Sequence, residues 1–132
     1  MCLGVYLSTD TELDLVPWNA DARTFNTSQL TDHESAVRRH LKRRYVYYLG
    51  AHTHCGCGFM RNGDSEPQEV DASRTALGEF LQRAREHGPC ELFVRWADDP
   101  VGELTAEQHR KAYELVSDEE WIVEGTLTHI TG

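Results

Sequence analysis

The chain has 132 residues, 39% hydrophobic and 27% charged, with a formal net charge of -9. That length fits one globular domain with a core of its own. No run of 18 apolar residues occurs, which excludes a helical membrane span, and the acidic balance argues against non-specific nucleic-acid binding, which depends on neutralising phosphates. Residues 1–7 lack the basic start and long apolar stretch of a secretory signal. The four cysteines follow no secreted-knot spacing and read as free thiols or ligands, so a cytoplasmic location is expected.

In chain order, residues 2–8 read as a first strand, with Leu3, Val5 and Leu7 on one face and Cys2, Gly4 and Tyr6 on the other. Residues 13–18 form a second short strand, limited by Pro17, and residues 24–30 a third. Thr31-Asp32-His33-Glu34 spells a capping box and opens a helix to about Arg43, with a narrow stripe of Ala36, Val37, His40 and Leu41. Residues 45–51, rich in tyrosine and aliphatic side chains, form the strongest strand. Gly56 and Gly58 break it, and Phe59-Met60-Arg61 is expected to pair back as a hairpin.

Residues 62–69, with Gly63 and Pro67, read as a loop. A second helix covers residues 72–87, capped by Asp71, with Leu77, Phe80, Leu81 and Ala84 buried and Gly88-Pro89 as its stop. A strand follows over residues 90–96, with Cys90, Leu92, Val94 and Trp96 on one side. Asp98-Asp99-Pro100 turns the chain. Thr105-Ala106-Glu107-Gln108 is a second capping box and predicts a third helix with His109, Ala112, Tyr113 and Val116 on one face. Asp118-Glu119-Glu120 is an acidic, solvated turn, and residues 121–130 close the fold as a strand. The order of elements predicts a single α+β domain over residues 1–132, with a mainly antiparallel sheet of five or six strands and two or three helices.

The chemistry concentrates in His52-Thr53-His54-Cys55-Gly56-Cys57, which holds two of seven histidines and two of four cysteines. Imidazole and thiolate are zinc's preferred ligands, and zinc takes four of them in a tetrahedron. His52, His54, Cys55 and Cys57 are therefore the candidate metal ligands, with zinc the candidate ion and no other cofactor indicated. If the strand continues, His52 and His54 point to the same side. Four ligands within six residues crowd one ion, so two or three are expected from this segment and at least one from elsewhere, with Cys2, Cys90 and His129 as donors.

Two other readings of the segment stand beside metal binding. Cys55-Gly56-Cys57 as a dithiol would make a redox protein, although the usual pattern has two intervening residues and a following helix. In a non-catalytic protein-binding module the same side chains would be structural, the cysteines packed in a tight glycine turn. Whether the chain is an enzyme stays open.

Weaker signals complete the reading. Arg38, Arg39, Lys42, Arg43 and Arg44, followed by Tyr45, Tyr47 and Tyr48, have the composition of a nucleic-acid or phosphate footprint. Against the net charge, the expected partners are protein carboxylates, within the chain or across a homodimer or other protein interface. Gly56-Cys57-Gly58 lacks the last glycine of a dinucleotide fingerprint, since Arg61 stands there. No P-loop, nucleophile elbow, His-Glu-x-x-His or EF-hand occurs. Met1-Cys2 resembles the start of the class II glutamine amidotransferases, which implies a nucleophilic cysteine. The likeness covers two residues, Leu3 replaces that family's glycine, and the chain is far shorter than that fold, so it is set aside.

Overall fold

In the computed structural model, residues 2–21, 24–61, 65–96 and 100–132 are described. The strands are β1 (Leu3–Thr9), β2 (Phe25–Gln29), β3 (Tyr45–Ala51), β4 (Cys90–Trp96), β5 (Ala106–Lys111) and β6 (Thr126–Thr131). Helix α1 spans Pro67–Glu86 and α2 spans Ala112–Ser117, and two 3-10 helices occupy Asp32–Arg39 and Gly56–Phe59. One six-stranded sheet runs β2-β3-β1-β4-β6-β5. Every pairing is antiparallel except β5 with β6. The architecture is α+β, as the alternation of strand and helix patterns predicts. No helix among the described residues is long and apolar enough to cross a membrane.

Strand β1 is buried along its whole length because both of its faces are covered. On one, Leu3, Val5 and Leu7 meet Leu49, Leu92 and Val94 from neighbouring strands and Leu77, Phe80, Leu81 and Ala84 from α1. On the other, Tyr6, Val46, Phe93 and Leu127 pack under Val37 and Leu41. Each fully buried leucine here contributes about 1.5–3 kcal/mol of transfer free energy.

Several expectations are corrected by this fold. Residues 13–18 are extended but join no strand: Pro17 has no N–H, and the segment is tied by Thr27 N–H to Val16 O (2.8 Å), Val16 N–H to Thr27 Oγ1 (2.8 Å) and Leu13 N–H to the Tyr47 hydroxyl (2.9 Å). The helix after Thr31 is a 3-10 helix ending at Arg39, with Val37 its one buried residue. The capping signal itself is used, since the Glu34 carboxylate accepts from Thr31 N–H at 3.0 Å. The loop over residues 62–69 is shorter than expected. Pro67 begins α1, where a missing N–H costs nothing, while Asp71 lies inside the helix and pairs with Arg61. Residues 62–64 lie outside the described residues, as do Asp98 and Asp99 of the expected turn.

A further correction concerns residues 105–117. The capping box does not open a helix there. Thr105 donates its hydroxyl to Glu124 O (2.7 Å) and its N–H to Gly125 O (3.0 Å), which lays the next six residues alongside β6. Of the predicted stripe, His109 lies on β5, while Ala112, Tyr113 and Val116 lie in α2, with Ala112 and Val116 buried. Phe59-Met60-Arg61 likewise forms no hairpin. Phe59 ends the second 3-10 helix and is buried between Phe25 and Trp121.

A candidate metal centre of three thiols

The histidine–cysteine segment does not extend β3. The chain turns back at Ala51, with His54 N–H on Ala51 O (3.0 Å) and Ala51 N–H on Cys55 O (2.9 Å). His54 closes the turn at φ 75°. This left-handed conformation is uncommon outside glycine, but histidine is among the residues that tolerate it. The 3-10 helix from Gly56 then presses the loop onto β1 and β3. A Cβ on Gly56 would lie 2.7 Å from Leu3 O, and one on Gly58 would lie 2.7 Å from Ala51 Cβ. Glycine at these two positions permits the close approach.

That approach gathers three thiols. The sulfurs of Cys2, Cys55 and Cys57 lie within 4.8 Å of one another. Cys2 comes from just before β1, because β1 runs antiparallel to β3 and its start lies beside the end of β3. Cys2 is exposed, and Cys55 and Cys57 are half-buried. Among the described residues, no other histidine, cysteine or acidic side chain joins this set.

The surroundings supply hydrogen bonds to sulfur. Leu3 N–H points at Cys57 Sγ at 3.2 Å. Burial pushes the Cys55 thiol up, but hydrogen bonds from Thr53, from the Cys57 backbone N–H and from the Cys57 and Cys2 thiols outweigh it and hold Cys55 below its usual value. Cys57 moves the other way: burial raises it, against the Leu3 N–H, and the hydrogen bond and charge of Cys55 raise it further. Within the cluster Cys55 is thus the thiol whose ionised form the neighbouring donors favour most.

The two histidines of the segment have other partners. His52 is buried, and its Nδ1 lies 2.9 Å from Ser73 Oγ and its Nε2 3.1 Å from Ser65 Oγ. Ser73 spends its own proton on Thr24 O (2.7 Å), so its oxygen accepts from both His52 N–H and His52 Nδ1–H. His52 Nε2 is then the acceptor for Ser65. His54 is exposed and stacks on Trp18, with centroids 4.7 Å apart and planes at 23°.

Of the donors named from elsewhere in the sequence, Cys2 alone reaches the cluster. Cys90 sits in the core under α1, where burial pushes its thiol up to about 11. His129 stands on β6 against Glu107 (2.7 Å) and Glu91 (3.5 Å).

Beside the thiols lies an open cleft of about 370 Å³, lined by Cys2, Cys55, Glu34, Tyr48, Ser28 and His54. Tyr48 forms its wall. Burial raises its phenol well above the ordinary value, the nearby Cys55 adds to the rise, and its oxygen accepts a hydrogen bond from Gly56 N–H. Neither Glu34 nor Tyr48 stands out in the sequence as a site residue. Their signals there are a helix cap and a strand aromatic.

Two members of the basic cluster make ion pairs within the chain. Arg39 pairs with Glu103, and Arg43 with Asp10 (2.8 Å) and Glu91 (3.1 Å). Arg44 lies over the Tyr45 ring at 5.2 Å. In comparisons with known proteins, no family model matches the chain, and neither the curated proteins nor the solved structures give a match.

Proposed function

We propose that this protein binds a soft transition metal, with zinc the first candidate, through the thiolates of Cys2, Cys55 and Cys57. The observation that carries the reading is the convergence of three sulfurs within 4.8 Å. Thiolate is the donor that selects zinc and copper(I) over the hard cations. The N–H···S bonds from Leu3 and Cys57 support it, since outer donors of this kind orient sulfur ligands and offset their charge. His54, at the rim of the cleft, has its ring stacked on Trp18, so we assign it no ligand role in this arrangement. His52 would have to give up both serines to ligate, and we assign it the role of anchoring the loop to α1. Three reduced thiols in one cluster suit a cytoplasmic setting.

Protein purified without a metal-binding tag should carry close to one zinc per chain. Cys55→Ser and Cys57→Ser should each lower affinity by more than the roughly 10–100-fold that losing an outer-shell partner costs. Elemental analysis and a competition titration with a chromophoric chelator measure both. Sub-stoichiometric metal that is indifferent to either substitution would sink the reading.

The dithiol reading shares these residues. Its support is the unlike pair of thiols at Cys55 and Cys57, one lowered and one raised. A single intervening glycine strains a direct disulfide between them, which is why metal binding ranks first.

A further inference from the structure

We infer that the metal held by the three thiolates takes its fourth ligand from outside the chain, through the Glu34–Tyr48 cleft, and that this ligand is a small neutral nitrogen donor of the imidazole or amine class. The inference rests on the proposed metal site and concerns its remaining coordination position.

The geometry supplies the first step. Zinc completes a tetrahedron, and a site with three protein ligands and one exchangeable position is the arrangement of reactive zinc, whereas structural zinc is enclosed by four. Among the described residues, three donors converge and no fourth histidine, cysteine or acidic side chain joins them within the same 4.8 Å. His54 borders the cleft, but its ring lies flat on Trp18 at 4.7 Å and its backbone is fixed by the turn bond to Ala51 O. Cys2 and Cys55 line the same cleft of about 370 Å³, which is open to solvent and large enough for a small molecule. The cleft is therefore the solvent-open side of Cys2 and Cys55, from which an outside ligand would enter.

Charge supplies the second step. Three thiolates on a divalent ion leave the centre with one net negative charge. Glu34, on the cleft wall, adds a carboxylate, and no arginine or lysine lines the cleft among the described residues. An anionic fourth ligand would meet both charges at close range, where repulsion is large in a partly desolvated site. A neutral nitrogen donor avoids that repulsion and can donate its own N–H groups to Glu34 or to the Ser28 hydroxyl. Nitrogen is also a donor that zinc and cobalt(II) accept readily alongside sulfur.

Cobalt(II) substitution tests this, because thiolate-to-metal charge transfer reports the sulfur ligands while the d–d bands report the whole tetrahedron. The full-length protein is loaded with cobalt(II) and titrated separately with imidazole and with azide. The expected result is an intense charge-transfer band, a d–d envelope that shifts with millimolar imidazole, and an azide response at least about 10-fold weaker in affinity. Glu34→Gln keeps an acceptor for Thr31 N–H and removes the charge, and it should narrow the imidazole–azide gap several-fold. Absence of thiolate charge transfer would overturn the metal site itself, and this inference with it. Charge transfer with d–d bands indifferent to imidazole, and altered by His54→Ala, would leave the metal site standing and overturn the inference, because the chain would then supply its own fourth ligand. Azide binding as tightly as imidazole would overturn the neutral-donor assignment.

Discussion

Among the described residues, two clusters of metal-capable side chains sit on this sheet, and they differ in the partners that surround them. At the end of β3, three sulfurs face one another with backbone N–H groups behind them. Across the sheet at β5 and β6, His109 and His129 stack at 4.6 Å. There His129 has a carboxylate on each ring nitrogen, Glu107 at 2.7 Å and Glu91 at 3.5 Å, and Glu91 in turn pairs with Arg43. The second cluster has the right residue types, but the His129 ring is already engaged by Glu107, and Glu91 beside it by Arg43. The first has thiols whose neighbours donate to sulfur and so favour its metal-binding form. Residue type nominates a site, and the direction of the surrounding hydrogen bonds decides between candidates.

The contrast is broken most directly at the glycine that seats the thiol loop. Gly56→Ala places a methyl group 2.7 Å from Leu3 O, which is backbone and cannot swing aside. Overpacking of this kind costs about 1–3 kcal/mol, and displacing Cys55 and Cys57 relative to Cys2 should weaken zinc binding by roughly 10–100-fold. His129→Gln should leave zinc content unchanged. Urea denaturation and chelator competition on both variants test the pair. Equal loss of zinc in the two would erase the distinction between the clusters.

Thiol reactivity sharpens the same comparison inside the cysteine set. In metal-free protein, Cys55 is lowered and holds more thiolate at neutral pH, Cys57 is raised and holds less, and Cys90, near 11 and buried, holds almost none. The thiolate is the reactive form. Alkylation at neutral pH with peptide mass mapping should therefore label Cys55 ahead of Cys57 and leave Cys90 largely intact. Raising the pH should close the gap between Cys55 and Cys57, because the raised thiol gains thiolate last. Zinc should protect Cys55 and Cys57 together. A Cys90 that reacts as fast as Cys55 would contradict the burial that separates them.

Much of this fold is legible in local pattern, and the site only in part. Alternation gives β1 and β4 with their faces, composition gives β3, and the apolar spacing of Leu77, Phe80, Leu81 and Ala84 gives the buried face of α1. The capping box at Thr105 misleads because a cap is worth about 1 kcal/mol, less than a strand ladder of six residues along β6. The segment at His52 shows its chemistry in the sequence but not its partners. Cys2 joins it through the register that sets Val5 opposite Leu49. Counting three residues back from one and forward from the other leads to Cys2 and His52. Register depends on which strands pair, and that is a non-local fact that periodicity does not carry. Tyr48 reaches the cleft by the same strand pairing, and Glu34 from the 3-10 helix Asp32–Arg39.

His52 tests whether the loop and the metal are separable. Its two ring nitrogens and its backbone N–H bind serine hydroxyls, two of these bonds converging on Ser73 of α1. His52→Ala removes both ring hydrogen bonds from a buried position, while Ser73 keeps Thr24 O and the backbone N–H of residue 52, and should cost about 1–3 kcal/mol. Zinc stoichiometry should survive, because the imidazole faces the helix rather than the sulfurs. Denaturant midpoints and metal analysis on one preparation measure the two together. Loss of zinc at unchanged stability would make His52 a ligand and redraw the site.

The smallest effects belong to the basic segment, where the chain's charge asymmetry is met by its own carboxylates. Arg39 pairs with an exposed Glu103, and such pairs contribute about 0–1 kcal/mol. Arg43 is half-buried between Asp10 and Glu91, so Arg43→Gln should cost more than Arg39→Gln while staying near the upper end of that range. Both costs should shrink as salt rises, since the Debye length falls from roughly 10 Å at 0.1 M to about 3 Å at 1 M. Guanidinium groups already facing carboxylates have less to offer phosphates. A titration with RNA and single-stranded DNA at near-physiological salt is therefore expected to show no micromolar binding. Binding at that level, abolished in the Arg39→Gln/Arg43→Gln double variant, would mean that phosphate displaces Glu103, Asp10 and Glu91, and the segment would then be an interface rather than an internal charge balance.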